Sequence, residues 1–142
     1  TKLCYVTSVV KEQGNDYLTL KEARFYEGQD AVEQASIDGK NAVDKKYGEY
    51  YIRVTGEEEE YYVSKECEWT LDIELILKRE HVGRFSDQQF TGLRGNYHLI
   101  RIFEDLSKAE EWNVPGFSSD GMFAKVYIEN GTVVKVEMQD LY

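Results

Sequence analysis

Two cysteines and two histidines are the side chains in this sequence best suited to metal or nucleophilic chemistry: Cys4, Cys67, His81 and His98. Structural zinc is usually held by two close pairs of such ligands, and these four residues form no close pair, so no metal centre is expected. A Cys-His nucleophile would need the two brought together with a carboxylate to orient the base, and nothing local signals that arrangement. Buried cysteines and surface histidines are the expectation. The chemistry left to the cysteines is a disulfide. Cys4 and Cys67 both fall in strand-like segments, and a bridge between neighbouring strands would close a long loop and stabilise the fold by roughly 4 kcal/mol. Two buried, unpaired thiols are the alternative, because bridging is decided by geometry.

The run Glu57 to Glu60 offers hard oxygen ligands, but a calcium loop spaces its carboxylates around a turn-making glycine, so the run reads as a solvated turn. Asp38-Gly39-Lys40-Asn41 and Ser118-Ser119-Asp120-Gly121 do not complete the EF-hand spacing and read as caps or turns. Gly92-Leu93-Arg94-Gly95 has neither the spacing nor the preceding strand of a nucleotide-binding loop, so no cofactor is implied. The aromatic residues are more informative. Eleven tyrosines, with Trp69 and Trp112, could furnish a surface that stacks on sugars or anchors a protein. Trp112, Val114, Pro115 and Phe117 gather in the segment from Glu110 to Gly121, either as a core plug or as a contact site. Trp112 and Phe117 are the candidate binding residues.

The elements that would position these residues fit a single domain covering 1–142, since one core is the expected solution at this length. Hydrophobic residues make up 42% of the chain, enough to build that core. The formal net charge of −10 repels phosphate backbones, which argues against nucleic acid as a partner. No stretch is long and apolar enough for a membrane-spanning helix. The N-terminal Thr1-Lys2-Leu3-Cys4 lacks signal-peptide sections, but a processed export product would lack them too. Membrane attachment, if any, would come through a lipid anchor outside these residues.

Leu3 to Gln13 and Tyr17 to Tyr26 read as a hairpin around Gly14-Asn15-Asp16. Ala31, Val32, Ala35 and Ile37 recur at helical spacing from Gln29 to Asp38, and Gly39 would end that helix. Tyr50 to Val54 and Tyr61 to Val63 read as two strands joined by the acidic turn. Next, Cys67, Trp69, Leu71, Ile73, Leu75 and Leu77 alternate with polar residues, giving one core face and one wet face. Ser86-Asp87-Gln88-Gln89 has capping-box spacing before a short helix. Tyr97 to Phe103 alternates as a strand, and Leu106 to Trp112 suggests a further helical turn.

At the end of the chain, Asn130-Gly131 signals a hairpin. A three-residue turn at Glu129-Asn130-Gly131 would set Ile128 opposite Thr132, Val126 opposite Val134 and Ala124 opposite Val136, keeping one face uniformly apolar. Six or more strands with one or two short helices, and no regular βαβ alternation, predict a mainly β, largely antiparallel fold. An OB-like partly open barrel or rolled sheet is the first expectation, and a sandwich-like α+β fold the second.

Several stretches, taken in order, carry a resemblance. They are Tyr5-Val6-Thr7-Ser8-Val9, Leu18-Thr19-Leu20, Phe25-Tyr26-Glu27-Gly28-Gln29-Asp30-Ala31, Tyr50-Tyr51-Ile52-Arg53, Tyr62-Val63-Ser64 and the final Ile128 to Glu137. The series resembles small exported domains of Gram-positive bacteria. It departs from them between Leu77 and Gly121, which is longer and more polar. The resemblance implies an extracytoplasmic protein, secreted or a cell-envelope lipoprotein, with no assigned activity and no site residues to carry over. The expected function is therefore a non-catalytic extracytoplasmic binding or interaction module, with a cell-envelope protein or glycan as partner. The alternatives are a carboxylate-dependent hydrolase of cell-wall or glycan substrates, and an acidic decoy that occupies a basic site on another protein.

Overall fold

The computed structural model describes residues 1–45, 48–71, 89–114, 116–139 and 141. Ile73, Leu75, Leu77, His81, Pro115 and the capping box at Ser86 lie outside them. Strand β1 (Lys2–Glu12) turns through Gln13 and Gly14 into β2 (Asn15–Glu27), with Glu12 opposite Asn15. Helix α1 (Gly28–Ile37) follows, then the short β3 (Val43–Lys45) and the long β4 (Gly48–Thr70). After β5 (Gln89–Thr91) comes helix α2 (Gly92–Glu104), then a 3₁₀ turn at Leu106–Lys108 and helix α3 (Ala109–Trp112). Strands β6 (Phe117–Ser118), β7 (Gly121–Glu129) and β8 (Thr132–Met138) complete the order.

The sheet runs β1-β2-β4-β8-β7-β6, and β7 also pairs with β1, so five strands form a ring. All the pairings are antiparallel except β4 with β8, which run parallel. The ring is partly closed, because the β4–β8 pairing is interrupted between Val63 and Glu68. This is the OB-like rolled sheet that the pattern predicted, made mixed by its parallel seam. Alternate residues point inward: Val6, Leu18, Leu20, Val63, Trp69, Met122, Val126 and Val136 are buried in one cluster, joined by Leu99 and Ile102 of α2. A side chain of this size contributes about 1.5–3 kcal/mol when fully buried.

Three readings are corrected. Tyr97 to Phe103 belongs to α2 and is not a strand. Its buried residues, Gly95, Asn96, His98, Leu99, Ile102 and Phe103, recur at helical spacing, whereas alternation over seven residues fits either period. The acidic run is not a turn, since β4 passes straight through Glu57 to Glu60, with Glu58 opposite Lys21 and Glu60 opposite Thr19. The irregularity lies at its first residue and the two before it. Thr55, Gly56 and Glu57 oppose Glu22 alone, and the backbones come so close that a Cβ on Gly56 would lie 3.2 Å from that of Glu22.

Helix α1 forms where the helical spacing placed it and buries Ala31 and Ala35, while Val32 and Ile37 are exposed. The third correction is the last hairpin, whose turn has two residues. Asn130 and Gly131 both take positive φ, 51° and 76°, as a type I′ turn requires. The extra residue sits further on, as a bulge at Val134, so that Ile128 faces Val133, Val126 faces Val136 and Ala124 faces Met138. The apolar face survives because the bulge restores the phase that the short turn would have lost.

Candidate functional site

The first residues of β1 are apolar on both faces. Cys4 and Val6 point into the ring, so Leu3 and Tyr5 point away from it, and they meet Ala23 and Phe25 of β2, Tyr50 and Ile52 of β4 and Phe123 of β7. Together with Leu141 these residues form a second cluster outside the ring. Tyr5 packs on Phe123 with ring centroids 5.6 Å apart, Phe25 lies 5.8 Å from Phe123, and Tyr50 stacks on Phe25 at 5.8 Å. Backbone bonds tie the neighbouring segments down: Phe123 donates its N–H to Gly116, and Gln139 donates to Phe123.

Between this outer cluster and the segment after α2 lies a cleft of about 270 Å³. Tyr5, Tyr50 and Ile52 form one wall, and Glu110, Asn113, Val114 and Phe117 face them. The segment turns where Asn113 takes a left-handed conformation, φ 50°, at the end of α3. Phe117, opposite Met122 in the β6–β7 pair, is backed by Trp112 at 5.5 Å and Phe103 at 5.7 Å. The two aromatic residues singled out in the sequence thus play different parts. Both are buried. Phe117 is nevertheless a cleft wall, and Trp112 is the support behind it.

Burial, and then the nearby charge of Asp120, pushes the Tyr5 phenol up to about 12, and burial raises Tyr50 as well. Both are therefore neutral hydroxyls at physiological pH. Neither hydroxyl makes a hydrogen bond among the described residues, and both residues line the cleft. Glu110 accepts from the Ser119 hydroxyl at 3.0 Å and is the only charged side chain on the wall among the described residues.

A second groove, of about 460 Å³, is lined by Lys2, Glu22, Arg24 and Arg53, but its charges are mostly spent internally. Lys2 bridges Glu22 at 2.8 Å and Glu59 at 3.3 Å. Arg53 binds Asp38 through Nε at 2.8 Å, donates to Gln34 and lies over the Tyr26 ring. This arrangement pins the C-terminal end of α1 to β4, and the Arg53 guanidinium and Tyr51 hydroxyl hold the Asp38 carboxyl below its ordinary range.

Inside the ring, Asn96 of α2 accepts from the Trp69 indole at 2.8 Å and donates to Asp16 at 2.9 Å and to the Ser64 carbonyl at 3.1 Å. The other Asp16 oxygen, Oδ1, is buried without a partner among the described residues. His98, expected at the surface, is buried on α2 beside Phe90. Cys4 and Cys67 are free, buried thiols. The premise for a bridge fails because their strands are not neighbours: β2 lies between β1 and β4, and Cys4 faces Glu22 and Ala124. Burial pushes both thiols up to about 12. No three His, Cys, Asp or Glu side chains gather as metal ligands among the described residues. None of the helices among the described residues is long and apolar enough to cross a membrane. The chain matches no known family model, no characterised protein and no solved structure.

Proposed function

We propose that this chain is an extracytoplasmic binding module that holds part of a cell-envelope partner, glycan or protein, in the aromatic cleft without converting it chemically. The observation that carries this reading is the cleft itself. It is concave, lined by Tyr5, Tyr50 and Phe117, and presents two phenol hydroxyls with no partner among the described residues. Apolar walls with a few convergent polar groups are the usual make-up of a ligand site. The extracytoplasmic setting rests on the order of matching stretches from Tyr5 to Glu137.

Two observations favour binding over the alternatives. A carboxylate-dependent hydrolase needs two acids in unlike environments, and among the described residues this cleft carries Glu110 alone on its wall. A decoy needs a continuous acidic stripe, but alternation along β4 sends successive glutamates to opposite faces, and Lys2 holds Glu59. The test is retention on insoluble cell-wall preparations. Ser118 is half-buried at the cleft, so Ser118→Trp fills it while leaving the ring core alone. The wild-type chain is expected to be retained and the variant to flow through, with equal thermal midpoints. Equal retention of the two, or no retention of the wild type, would overturn the proposal.

A further inference from the structure

Resting on the cleft as the binding site, we infer that the group it recognises is a compact organic cation, an alkylammonium head caged by the Tyr5, Tyr50 and Phe117 rings with Glu110 beside them. Four observations converge on this chemistry. The first is that three aromatic side chains line one small space, and the negative face of an aromatic ring attracts a cation, most strongly when water is excluded. The second is support: Tyr5 packs on Phe123, Tyr50 on Phe25 and Phe117 on Trp112, so each wall ring is held by another ring before any ligand arrives. A cage that need not be ordered on binding loses less affinity to entropy.

The third observation is charge. Among the described residues no lysine, arginine or histidine lines the cleft, Glu110 does, and Asp120 is close enough to act on Tyr5. With a net charge of −10 over the chain, the long-range field also favours a cation over an anion. The fourth is size. About 270 Å³ is just below the range of roughly 300–1,000 Å³ typical for whole drug-sized ligands, which suits a single head group. An alkylated ammonium suits this site better than a bare one. Its methyl groups contact the rings and Ile52, and it gives up less hydration on entry.

The experiment compares choline with its uncharged carbon isostere by calorimetric titration of the full chain. Choline is expected to bind with a Kd lower on the order of tenfold. Tyr50→Phe should keep most of that preference, since the ring remains, whereas Tyr50→Leu should abolish it. Glu110→Gln should weaken choline severalfold and leave the isostere unchanged. Equal or tighter binding of the isostere would overturn the cation inference while leaving the cleft as a binding site. Binding of neither probe would also overturn it, and cell-wall retention that depends on Ser118 would then show the cleft serving a different group.

Discussion

Replacing Asn96 with alanine should be among the most damaging single substitutions in this protein, and its size can be worked out bond by bond. Asn96 is fully buried and makes three hydrogen bonds, to the Trp69 indole, Asp16 and the Ser64 carbonyl. Alanine leaves an indole N–H and a carboxylate buried without partners, each costing about 1–3 kcal/mol, with a smaller loss at Ser64. A total of about 4 kcal/mol is expected, a large share of the roughly 5–15 kcal/mol that holds a domain together. Asp16 makes the prediction sharper. Because its Oδ1 already lacks a partner among the described residues, Asp16→Ala removes a half-satisfied buried polar group and should cost only about 1 kcal/mol. In the Asn96→Ala background the same change removes an orphan, so the double variant should be more stable than the two separate losses imply, by about 1.5–3 kcal/mol. Urea unfolding of all four proteins at matched slopes measures this cycle. A loss below about 1 kcal/mol for Asn96→Ala, or additivity within about 0.5 kcal/mol, would refute the reasoning.

Other outcomes follow from the geometry. Cys4 and Cys67, with pKa pushed from 9.0 to about 12, should resist thiol reagents at pH 8 and react only at the rate of unfolding, as timed by labelling and mass analysis. The unfolded thiols ionise near pH 9.0 while the folded ones stay protonated to about 12, so their contribution is complete below pH 9.0 and lost between those values. The urea midpoint should therefore fall from pH 8 to pH 11, and less so in a Cys4→Ala, Cys67→Ala variant. The lowered Asp38 works in the opposite sense, with its contribution present above its ordinary 3.8 and lost as pH falls through the lower folded value. Asp38→Asn should flatten the acid side of the stability profile, read as the difference in urea midpoint between pH 7 and pH 3. Gly95→Ala places a methyl 2.9 Å from the Trp69 ring and 3.2 Å from the Phe90 backbone, so α2 must shift, at about 1–3 kcal/mol by thermal unfolding.

The opening hairpin, α1, the inward row of Cys67, Trp69 and Leu71, and the OB-like sheet were legible because one period dominates each segment. Tyr97 to Phe103 was not, since its apolar residues satisfy both a strand and a helix, and the choice is made by Gly95 and Asn96 fitting against Trp69. The glutamate run misled because charge argues for solvent but not for a bend, and the strand continues wherever its partner offers Lys21 and Thr19. Half of the site was visible: Phe117 and Trp112 stood out as apolar residues in a wet segment. Tyr5 and Tyr50 were hidden by alternation, which names a single buried face. Their signal was the unbroken apolar run Leu3-Cys4-Tyr5-Val6, which marks a strand covered on both sides.

The two seams that close the ring join distant parts of the chain: β1 meets β7 with Cys4 facing Ala124, and β4 meets β8 with Tyr62 facing Thr132. The β1–β2 and β7–β8 hairpins can form by themselves on a timescale of about 1–10 μs, but neither seam can form until the intervening chain has been gathered. Long-range closure of this kind slows folding. In the interval, Met122, Val126 and Val136 lie on an open hairpin face and the edge of β1 has no partner. The newly made chain therefore passes through a brief aggregation-prone window, and its yield should depend more on how quickly the seams close than on how stable the closed ring is.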